Sequence, residues 1–527
     1  MPTVVTPGTG ETPPRDQSRR SVARRFLILA AGFLATVVSL FATGVLWPLA
    51  SATPARADGP FAIVDVAVVD VALGRVVPHQ TVVVDGERIV ASGPAHVVAL
   101  PAGARRIDGR GRFLMPALWD MHAHVYAVSP MLELPLYIAY GVTSVRDMQG
   151  CPREGDPFIA CPDDKRRWSA EAEAGSRVGP RIVATTSFMA NGPGIHDRIK
   201  GLPEYFGTRT PAEARAFVRH FAGKVDVIKV YDRIPRDAYF ALADEARRLD
   251  LDVVGHRPHA VSAIEAASHQ KSIEHARFLL HESFPGSAAL RASAGTPAWH
   301  EDRRQMLDAH DPAMAAAIFA AMRDAGTWYV PTHLTRLADA YAEDPAIRED
   351  PLLRYLHPLM RWQWLEDIDA TVAEDPSPAA RATHREFHRK GLELTGAAHR
   401  AGVKLLVGTD YIFAGADVHR ELEQFVQAGL APADALRAAT TGPAEYFGLQ
   451  QTHAAVKAGY VADLLLLDAD PLADIRNTRR IAAVVFNGSL YDRAALDGLQ
   501  AHVERQARSW SVACKILWRF ITNPVAY

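Results

Sequence analysis

Cysteine is scarce in this sequence, with three residues in a chain of 527. They form no Cys-x-x-Cys pair, so a zinc site made of thiolates is not expected. The chain also lacks a block of basic residues, since 58 Lys and Arg are balanced by 60 Asp and Glu, and nucleic-acid binding is not expected. The 21 histidines are the larger pool of candidate metal ligands.

A run without charged residues occupies positions 26–50, after an arginine-rich polar segment at 1–25 that we expect to be disordered. The run is long enough to span a bilayer, and its positive flank places the N-terminus in the cytoplasm. Ala55 and Ala57 match the small-residue pattern of a signal-peptide cleavage site. Residues 26–57 are therefore either a signal peptide or a membrane anchor. In both cases we expect an exported protein, either periplasmic or anchored and facing the periplasm or exterior.

Short β-type runs separated by turns occur near both ends of the chain. They fill residues 58–114, where Asp85-Gly86 is a hairpin signal, and return at 450–495. We predict that the two ends pair into a small β-sandwich domain. Residues 496–527 mix tryptophans with basic residues and are predicted to form a helical tail, which packs either on the central domain or on a membrane surface or partner.

Strand-like and helix-like runs alternate through residues 115–449, which predicts an α/β domain with a parallel sheet. The length fits a (β/α)8 TIM-like barrel, with a largely helical insert at about 280–395. The strand candidates are Val142–Val145, Arg181–Ala184, Val225–Tyr231, Val253–Gly255, Ser272–Glu274, Trp328–Pro331 and Val403–Gly408. The helix candidates include Pro211–Ala222, Arg236–Leu249, Ala260–Ser268 and Pro432–Ala439.

Two histidines, one residue apart, come at the end of the apolar run that starts at Met115. Side chains on a strand alternate between its faces, so His122 and His124 point the same way if this run is a strand. Two imidazoles at one strand end can hold a metal ion. The alternative is a pair of polar residues in a loop.

Four further polar residues end later β-type runs: Lys229, His256, His275 and Asp410. Active sites of such barrels lie at the C-terminal ends of the strands, where these residues would meet. Each alone has a structural explanation, since Lys229 could snorkel and Asp410 could cap the next helix. Their occurrence in this order favours a functional site.

This order of motifs resembles the amidohydrolase superfamily, in its prolidase-like and imidazolonepropionase-like branch. The matching stretches are Met115–His124, Gly141–Met148, Ile228–Tyr231, His256, Ile273–His275 and Gly408–Asp410. One departure is Ala117, where glycine is usual. The resemblance covers roughly residues 60–495 and implies the same barrel fold.

The resemblance implies a site for two divalent metal ions, usually zinc. The ligands it implies are His122, His124, Lys229, His256, His275 and Asp410. Lys229 would bridge the two metals as a carbamate. A hydroxide held between the metals would attack a carbonyl carbon, and Asp410 would pass the proton to the leaving nitrogen. Tyr231 lies two residues after Lys229, hence on the same strand face, and its hydroxyl could donate to the oxyanion.

Substrate contacts are less determined. His419 resembles a family histidine that approaches the pocket, and further candidates are His196, Arg257 and His333. A dipeptide or N-acyl amino acid would need a partner for its carboxylate, best an arginine. The sequence does not tell which arginine this is.

The expected function is that of a metal-dependent hydrolase that cleaves an amide bond in a small molecule such as a dipeptide or N-acyl amino acid. A lactone or ester hydrolase, a cyclic-amidine hydrolase or deaminase of the same superfamily, and a membrane-tethered binding protein are the alternatives. Deaminases there generally use one metal and lack the bridging lysine, so Lys229 argues against that class. No ligand is missing, which argues against a binding protein. A homo-oligomer is left open.

The two cysteines Cys151 and Cys161 are ten residues apart in what would be the second barrel loop. In an exported protein they are expected to form a disulfide, because an oxidising compartment permits one. Two unpaired loop thiols are the alternative. Cys514 would stay free.

Overall fold

The computed structural model describes residues 3–4, 8, 16–54, 59–154, 156, 158–192, 201–374 and 376–522. Their contacts divide the chain into two compact units. One comprises the described residues of Met1–Leu49 with Ser509–Trp518, and the other those of Ala50–Arg508 with Arg519–Tyr527.

The described strands all lie in the larger unit. They are β1 Phe61–Asp70, β2 Arg75–Asp85, β3 Arg88–Pro94, β4 Arg105–Asp108, β5 Phe113–Pro116, β6 Leu118–Ala123, β7 Val142–Asp147, β8 Arg181–Ala184, β9 Val227–Val230, β10 Asp252–Gly255, β11 Ser272–Glu274, β12 Trp328–Val330, β13 Leu464–Leu467, β14 Ile481–Phe486 and β15 Ser489–Asp492.

Strands from both ends of the chain form one mixed sheet in the order β15-β14-β13-β5-β1-β2-β3, with β4 beside β1. The join is β13, which pairs antiparallel with β5 from Leu464 opposite Pro116 to Leu467 opposite Phe113. Apolar side chains such as Ile63, Val84 and Leu464 form a buried core on this sheet. The described strands from the two chain ends all belong to this one sheet. They do not form the two facing sheets of the predicted sandwich.

Two parallel sheets follow, β6-β7-β8 and β12-β11-β10-β9. Isolated parallel bridges join Thr186 with Val227 and Ala190 with Val230, so β9 continues beyond the edge at β8. A further bridge joins Tyr329 with Leu405. Most residues of these strands are buried, which is typical of parallel sheets covered by helices on the outside. The domain is therefore α/β, as predicted.

Helices follow or separate these strands. In the larger unit they are Ser129–Leu132, Leu134–Ala139, Pro162–Glu173, Pro211–Phe221, Arg236–Arg248, Ala263–Ala267, Arg277–Glu282, Ser287–Ala292, Arg303–Asp308, Pro312–Ala325, His333–Ala340, Pro345–Arg348, Pro358–Glu374, Pro378–Arg400, Ala416–Gln427, Pro432–Ala438, Thr441–Tyr446 and Arg493–Ala507, with 3-10 turns at Glu204–Gly207, Pro351–Tyr355 and Ile475–Arg479.

Local sequence sets where several of these helices begin. Thr210 accepts a hydrogen bond from the backbone of Glu213 and is followed by proline at the first helical position, both of which favour a helix start. Ser262 and Glu265 form a reciprocal capping box. These caps satisfy backbone N–H groups of the first turn and so stabilise the start of each helix.

The smaller unit contains the helix Asp16–Leu46 and the first nine residues of the helix Trp510–Thr522. Within the first helix, Val22–Leu46 has a mean hydropathy of 2.3 over its most apolar 18 residues, none of which is buried. Its 25 residues are long and apolar enough to cross a membrane, a property that a signal sequence shares. Cleavage at Ala55–Ala57 lies outside the described residues.

Candidate metal centre

Two of the predicted histidines lie at the C-terminal end of the first parallel strand, where the apolar run from Met115 ends. His122 is on β6 and His124 is the first residue after that strand. Their ring centroids are 5.5 Å apart. Asp120, on the same strand, accepts hydrogen bonds from the backbone N–H groups of His122 and Thr409, each at 3.0 Å. This buried carboxylate therefore ties the first strand to the loop that carries Asp410.

Asp410 is brought against three of the predicted histidines. Its carboxylate oxygens lie 3.6 Å from Nε2 of His122, 3.4 Å from Nε2 of His124 and 3.7 Å from Nδ1 of His275. His122, His275 and Asp410 offer donor atoms that all lie within 4.8 Å of one another. The ring of His256 is 4.2 Å from that of His275. The four histidines and Asp410 thus form one cluster.

The backbone is unusual at this cluster. His275 has a φ of 70°, Thr332 of 46° and Asp410 of 45°, all in the left-handed region that non-glycine residues rarely adopt. Such conformations tend to occur where a site has to be shaped against local preference. Gly408 is required for a different reason, because a Cβ there would lie 2.7 Å from Cβ of His122.

Several ring nitrogens of the clustered histidines are buried without a hydrogen-bond partner. Among the described residues they include Nε2 of His124, Nδ1 of His256 and Nε2 of His275. Buried polar atoms normally have partners, so three orphans in one place call for a missing ligand. Burial lowers the pKa of all these imidazoles and of His122 well below the usual value, which keeps them neutral and able to ligate. Neutral imidazoles around a carboxylate fit a divalent transition metal.

Glu274 supports His122 from behind. Its Oε2 lies 3.1 Å from Nδ1 of His122, while its Oε1 accepts from Arg146 at 2.8 Å and from Ser272 at 2.6 Å. The ion pair between Glu274 and Arg146 is fully buried. A carboxylate on the outer nitrogen of a ligating histidine fixes its orientation. Glu274 and Arg146 are 128 positions apart in the sequence.

Hydroxyl groups lie beside Nδ1 of both His275 and His124. Nδ1 of His275 lies 2.8 Å from the hydroxyl of Thr332, and Nδ1 of His124 lies 3.3 Å from that of Tyr126. In His124 this leaves Nε2, the atom nearer Asp410, for a metal, whereas in His275 the nitrogen nearer Asp410 is Nδ1 itself.

Lys229 is buried on β9, where its Nζ donates to the carbonyl of Met148 at 2.5 Å. Burial lowers the pKa of Lys229 below the usual lysine value. Tyr231 follows two residues later, and its ring packs against that of His256 at a tilt of 42°, with 3.8 Å between centroids. Burial raises the pKa of Tyr231 to about 12, so its hydroxyl keeps its proton.

The predicted substrate contacts differ in their surroundings. Arg257 is buried and donates to the carbonyls of Pro258, His259 and Val261, with Glu282 3.2 Å away. His333 contacts the hydroxyl of Thr395 at 3.0 Å. Both ring nitrogens of His419 have partners, the hydroxyl of Thr478 at 2.9 Å and the carbonyl of Tyr140 at 2.8 Å. His196 lies outside the described residues.

Arg277 is a second arginine near the histidine cluster, and its side chain is more exposed than that of Arg257. It follows His275 by two residues, its side chain is 26% exposed, and its one described ion pair is a 3.4 Å contact to Asp232. Its charge contributes to lowering the pKa values of His256 and His275. Arg277 is therefore a cation close to the histidine cluster with capacity for another partner.

The predicted cysteine pair is present as a disulfide. Cys151 and Cys161 are bonded, with their Cα atoms 4.9 Å apart, and Cys514 is free. The neighbouring Lys165 forms a buried 2.6 Å ion pair with Asp147, at the end of β7. The disulfide therefore lies in the loop that follows the second parallel strand.

The model of the amidohydrolase family matches residues 113–491, which is more than half of the chain. The chain belongs to this family. It is thereby classed with enzymes that act on carbon–nitrogen bonds and are typically metal-dependent, in agreement with the resemblance seen in its motifs. No curated protein matches the sequence.

Solved structures share the fold of this amidohydrolase at low sequence identity. Bottromycin amidohydrolase is 24% identical with a TM-score of 0.62, covering 86% of this chain and 92% of its own. A Xaa-Pro dipeptidase with bound methionine is 18% identical with a TM-score of 0.57, covering 82% of this chain and 100% of its own. Molinate hydrolase is 18% identical with a TM-score of 0.54, and the match covers 83% of this chain and 95% of molinate hydrolase.

Proposed function

We propose that this amidohydrolase cleaves the amide bond of a dipeptide or N-acyl amino acid with the help of two divalent metal ions, zinc in the first instance. The observation that carries the proposal is the cluster of four histidines with Asp410, in which three buried ring nitrogens lack a hydrogen-bond partner among the described residues. The proposed ligands are His122, His124, Lys229, His256, His275 and Asp410. One structural neighbour is named as a dipeptidase and another as an amidohydrolase, and both names agree with the proposed type of reaction.

The proposal includes a closed (β/α)8 barrel, with residues 405–408 as its eighth strand. Its support is the backbone hydrogen bond from Met121 to Val407, at 2.9 Å, which links the first strand to this segment. The bridge between Tyr329 and Leu405 links the same segment to β12. In such a barrel all six ligands lie at the C-terminal ends of strands.

Lys229 can become a ligand by carboxylation. Its lowered pKa favours the neutral amine, whose nitrogen attacks carbon dioxide and loses a proton as the N–C bond forms. The product is a carbamate, whose negative charge is shared by two oxygens that can bind metal. The ammonium form of lysine cannot act as a ligand. Two bound divalent ions would activate a water and polarise the substrate carbonyl.

Asp410 is proposed to move the proton. Burial raises its pKa to about 7, although a bound cation would lower it again. Its carboxylate can accept a proton from the attacking water and deliver it to the leaving nitrogen, as a general base and then a general acid. Without that delivery the leaving group would depart as an amide anion.

Tyr231 and Arg277 are proposed to bind the substrate. The protonated hydroxyl of Tyr231 can donate to the carbonyl oxygen as it gains negative charge. Arg277 can pair with the substrate carboxylate, because its one ion pair among the described residues is the 3.4 Å contact to Asp232 and part of its side chain is exposed. Arg257, the earlier candidate, is already committed to three backbone carbonyls.

We also infer that the enzyme acts outside the cytoplasm. The apolar N-terminal helix and the Cys151–Cys161 disulfide support this, since disulfides persist in oxidising compartments.

The test is metal content together with activity. Full-length enzyme purified without chelator, and supplied with zinc and bicarbonate, is expected to hold about two metals per chain by plasma mass spectrometry and to release free amino acid from dipeptides or N-acyl amino acids. Lys229→Ala should lose metal and activity, whereas Lys271→Ala, at a partly exposed lysine paired with Asp252, should lose neither. A metal-free wild-type enzyme after reconstitution, or an unchanged Lys229 variant, would contradict the proposal.

A further inference from the structure

The last turn of the apolar N-terminal helix is fitted to the C-terminal helix of the same unit. Gly44 is the only buried residue described between Val22 and Leu46. A Cβ at this position would lie 2.5 Å from Cζ3 of Trp510 and 2.6 Å from Sγ of Cys514. Glycine is therefore required for the two helices to approach this closely. At Gly32, three turns earlier, a Cβ would meet nothing within 4 Å.

The same turn has its carbonyl groups capped by the C-terminal helix. The last four carbonyls of a helix have no partner within it. Ser511 donates to the carbonyl of Gly44 at 2.8 Å, and the ammonium of Lys515 donates to that of Val45. A cation at this position also interacts favourably with the negative end of the helix dipole.

The contact follows one face of the C-terminal helix. Ser511, Lys515 and Trp518 are spaced by four and three residues, so they lie on the same side of the helix. The ring of Trp518 lies 6.3 Å from that of Phe41, one turn before Gly44. One face of the C-terminal helix therefore makes both the ring contact and the hydrogen bonds to the last turn of the N-terminal helix, where Gly44 lies.

From these contacts we propose that the N-terminal helix is retained in the mature protein as a membrane anchor, and that the C-terminal helix caps it at the outer lipid interface. A signal peptide is removed after export. If residues 22–46 were removed, Ser511 and Lys515 would lose the carbonyl groups that they bind, and Trp510 its contact with Gly44. A C-terminal helix fitted to this turn is consistent only with an anchor that stays.

Lipid is the partner that the exposed surface fits. Residues 22–46 expose an apolar surface long enough to span a hydrocarbon core of about 30 Å. Arg24 and Arg25 lie at the start of this helix, which suits a cytoplasmic N-terminus. At its other end Trp47, Trp510 and Trp518 are 57%, 49% and 46% exposed. Tryptophan is enriched at the headgroup level of membranes.

The first test is the mass of the mature protein. Full-length chain with a C-terminal tag, produced in a host that exports it, is extracted from membranes and its intact mass is measured. We expect a mass that includes residues 22–46 and flotation with vesicles of phosphatidylcholine and phosphatidylglycerol that contain no other protein. A species beginning near residue 58 would overturn retention. An uncleaved chain that does not float would overturn lipid as the partner.

The second test uses the free thiol of Cys514. Gly44→Cys is expected to form a disulfide with Cys514 under mild oxidation in membranes, identified as linked peptides by mass spectrometry, and Gly32→Cys is expected not to. Because the new Cβ needs room, Phe41→Cys with Trp518→Cys in a Cys514→Ser background provides a second pair. Reaction with a soluble maleimide shows that the thiols are free to react. If they are, and neither pair forms a crosslink, the capping contact is overturned.

Discussion

Asp410 is the residue on which most of the proposed chemistry depends, since its carboxylate lies within 3.7 Å of nitrogens from three histidines. Asp410→Asn keeps the size of the side chain but removes the proton acceptor. We expect kcat to fall by about 10²–10⁴-fold, the usual contribution of general acid–base catalysis. Far-UV circular dichroism should be unchanged. Asp468→Asn, at an exposed aspartate paired with Arg112, is the matched control and should keep full activity. Turnover within threefold of wild type in Asp410→Asn would contradict its role.

Arg277 is the proposed partner of a substrate carboxylate. Arg277→Met retains the length of the side chain and removes its charge, so KM is expected to rise about 10–100-fold, as for loss of an ion-paired hydrogen bond of 1.5–3 kcal/mol, with a smaller effect on kcat. The change should be absent for the same substrate with its carboxylate converted to an amide, which measures binding of that group alone. Equal loss for both substrates would assign Arg277 a structural role.

The positions of the candidate ligands could be predicted from the sequence because each one ends an apolar run, and strand ends meet in a parallel sheet. What surrounds them could not. Glu274 contacts His122 directly and forms an ion pair with Arg146, and both partners are far away in the chain. Arg257 and Arg277 each follow a predicted histidine closely, so the local sequence does not distinguish them. The difference is in their burial, since Arg257 is buried and Arg277 is partly exposed.

At the scale of elements, the periodicity located most boundaries to within a few residues. Arg181–Ala184 and Ser272–Glu274 are strands as predicted, and Pro211–Phe221 ends one residue before its predicted end. The weakest agreement is Val403–Gly408, where the structure has only a bridge at Leu405. An apolar run predicts burial, but regular pairing depends on the neighbours, which lie far away in the sequence.

The disulfide stabilises the loop after β7. It closes a segment of ten residues, for which cross-linking is worth about 2–4 kcal/mol. The double variant Cys151→Ser/Cys161→Ser is expected to unfold at lower urea concentration and to lose its response to dithiothreitol. Cys514→Ser is the control, because it leaves the disulfide in place, and it should keep the wild-type midpoint and the response to reductant. A double variant as stable as wild type would contradict this contribution.

On the scale of the whole molecule, the sequence predicted that the two chain ends join, but not how. Alternating runs indicate strands with one buried face, whether these belong to one sheet or to two facing sheets. The structure has them in a single mixed sheet, because β13 pairs with β5 at its centre. Retention of the N-terminal helix was equally open, since length and hydropathy are the same for an anchor and a signal peptide.

The proposed metal site would join distant parts of the chain, since its ligands extend from His122 to Asp410. A ligand that binds only the folded state stabilises it by about 2.7 kcal/mol when its free concentration is a hundred times Kd. We therefore expect removal of the metal with a chelator to lower the melting temperature by several degrees at a fixed scan rate, and zinc to restore it. In the variant His256→Ala/His275→Ala, the same chelator should have a much smaller effect, because two of the cross-linking ligands are gone. Identical melting of the wild-type protein before and after removal, with loss of metal verified by mass spectrometry, would mean that the cluster does not link these strands through a metal.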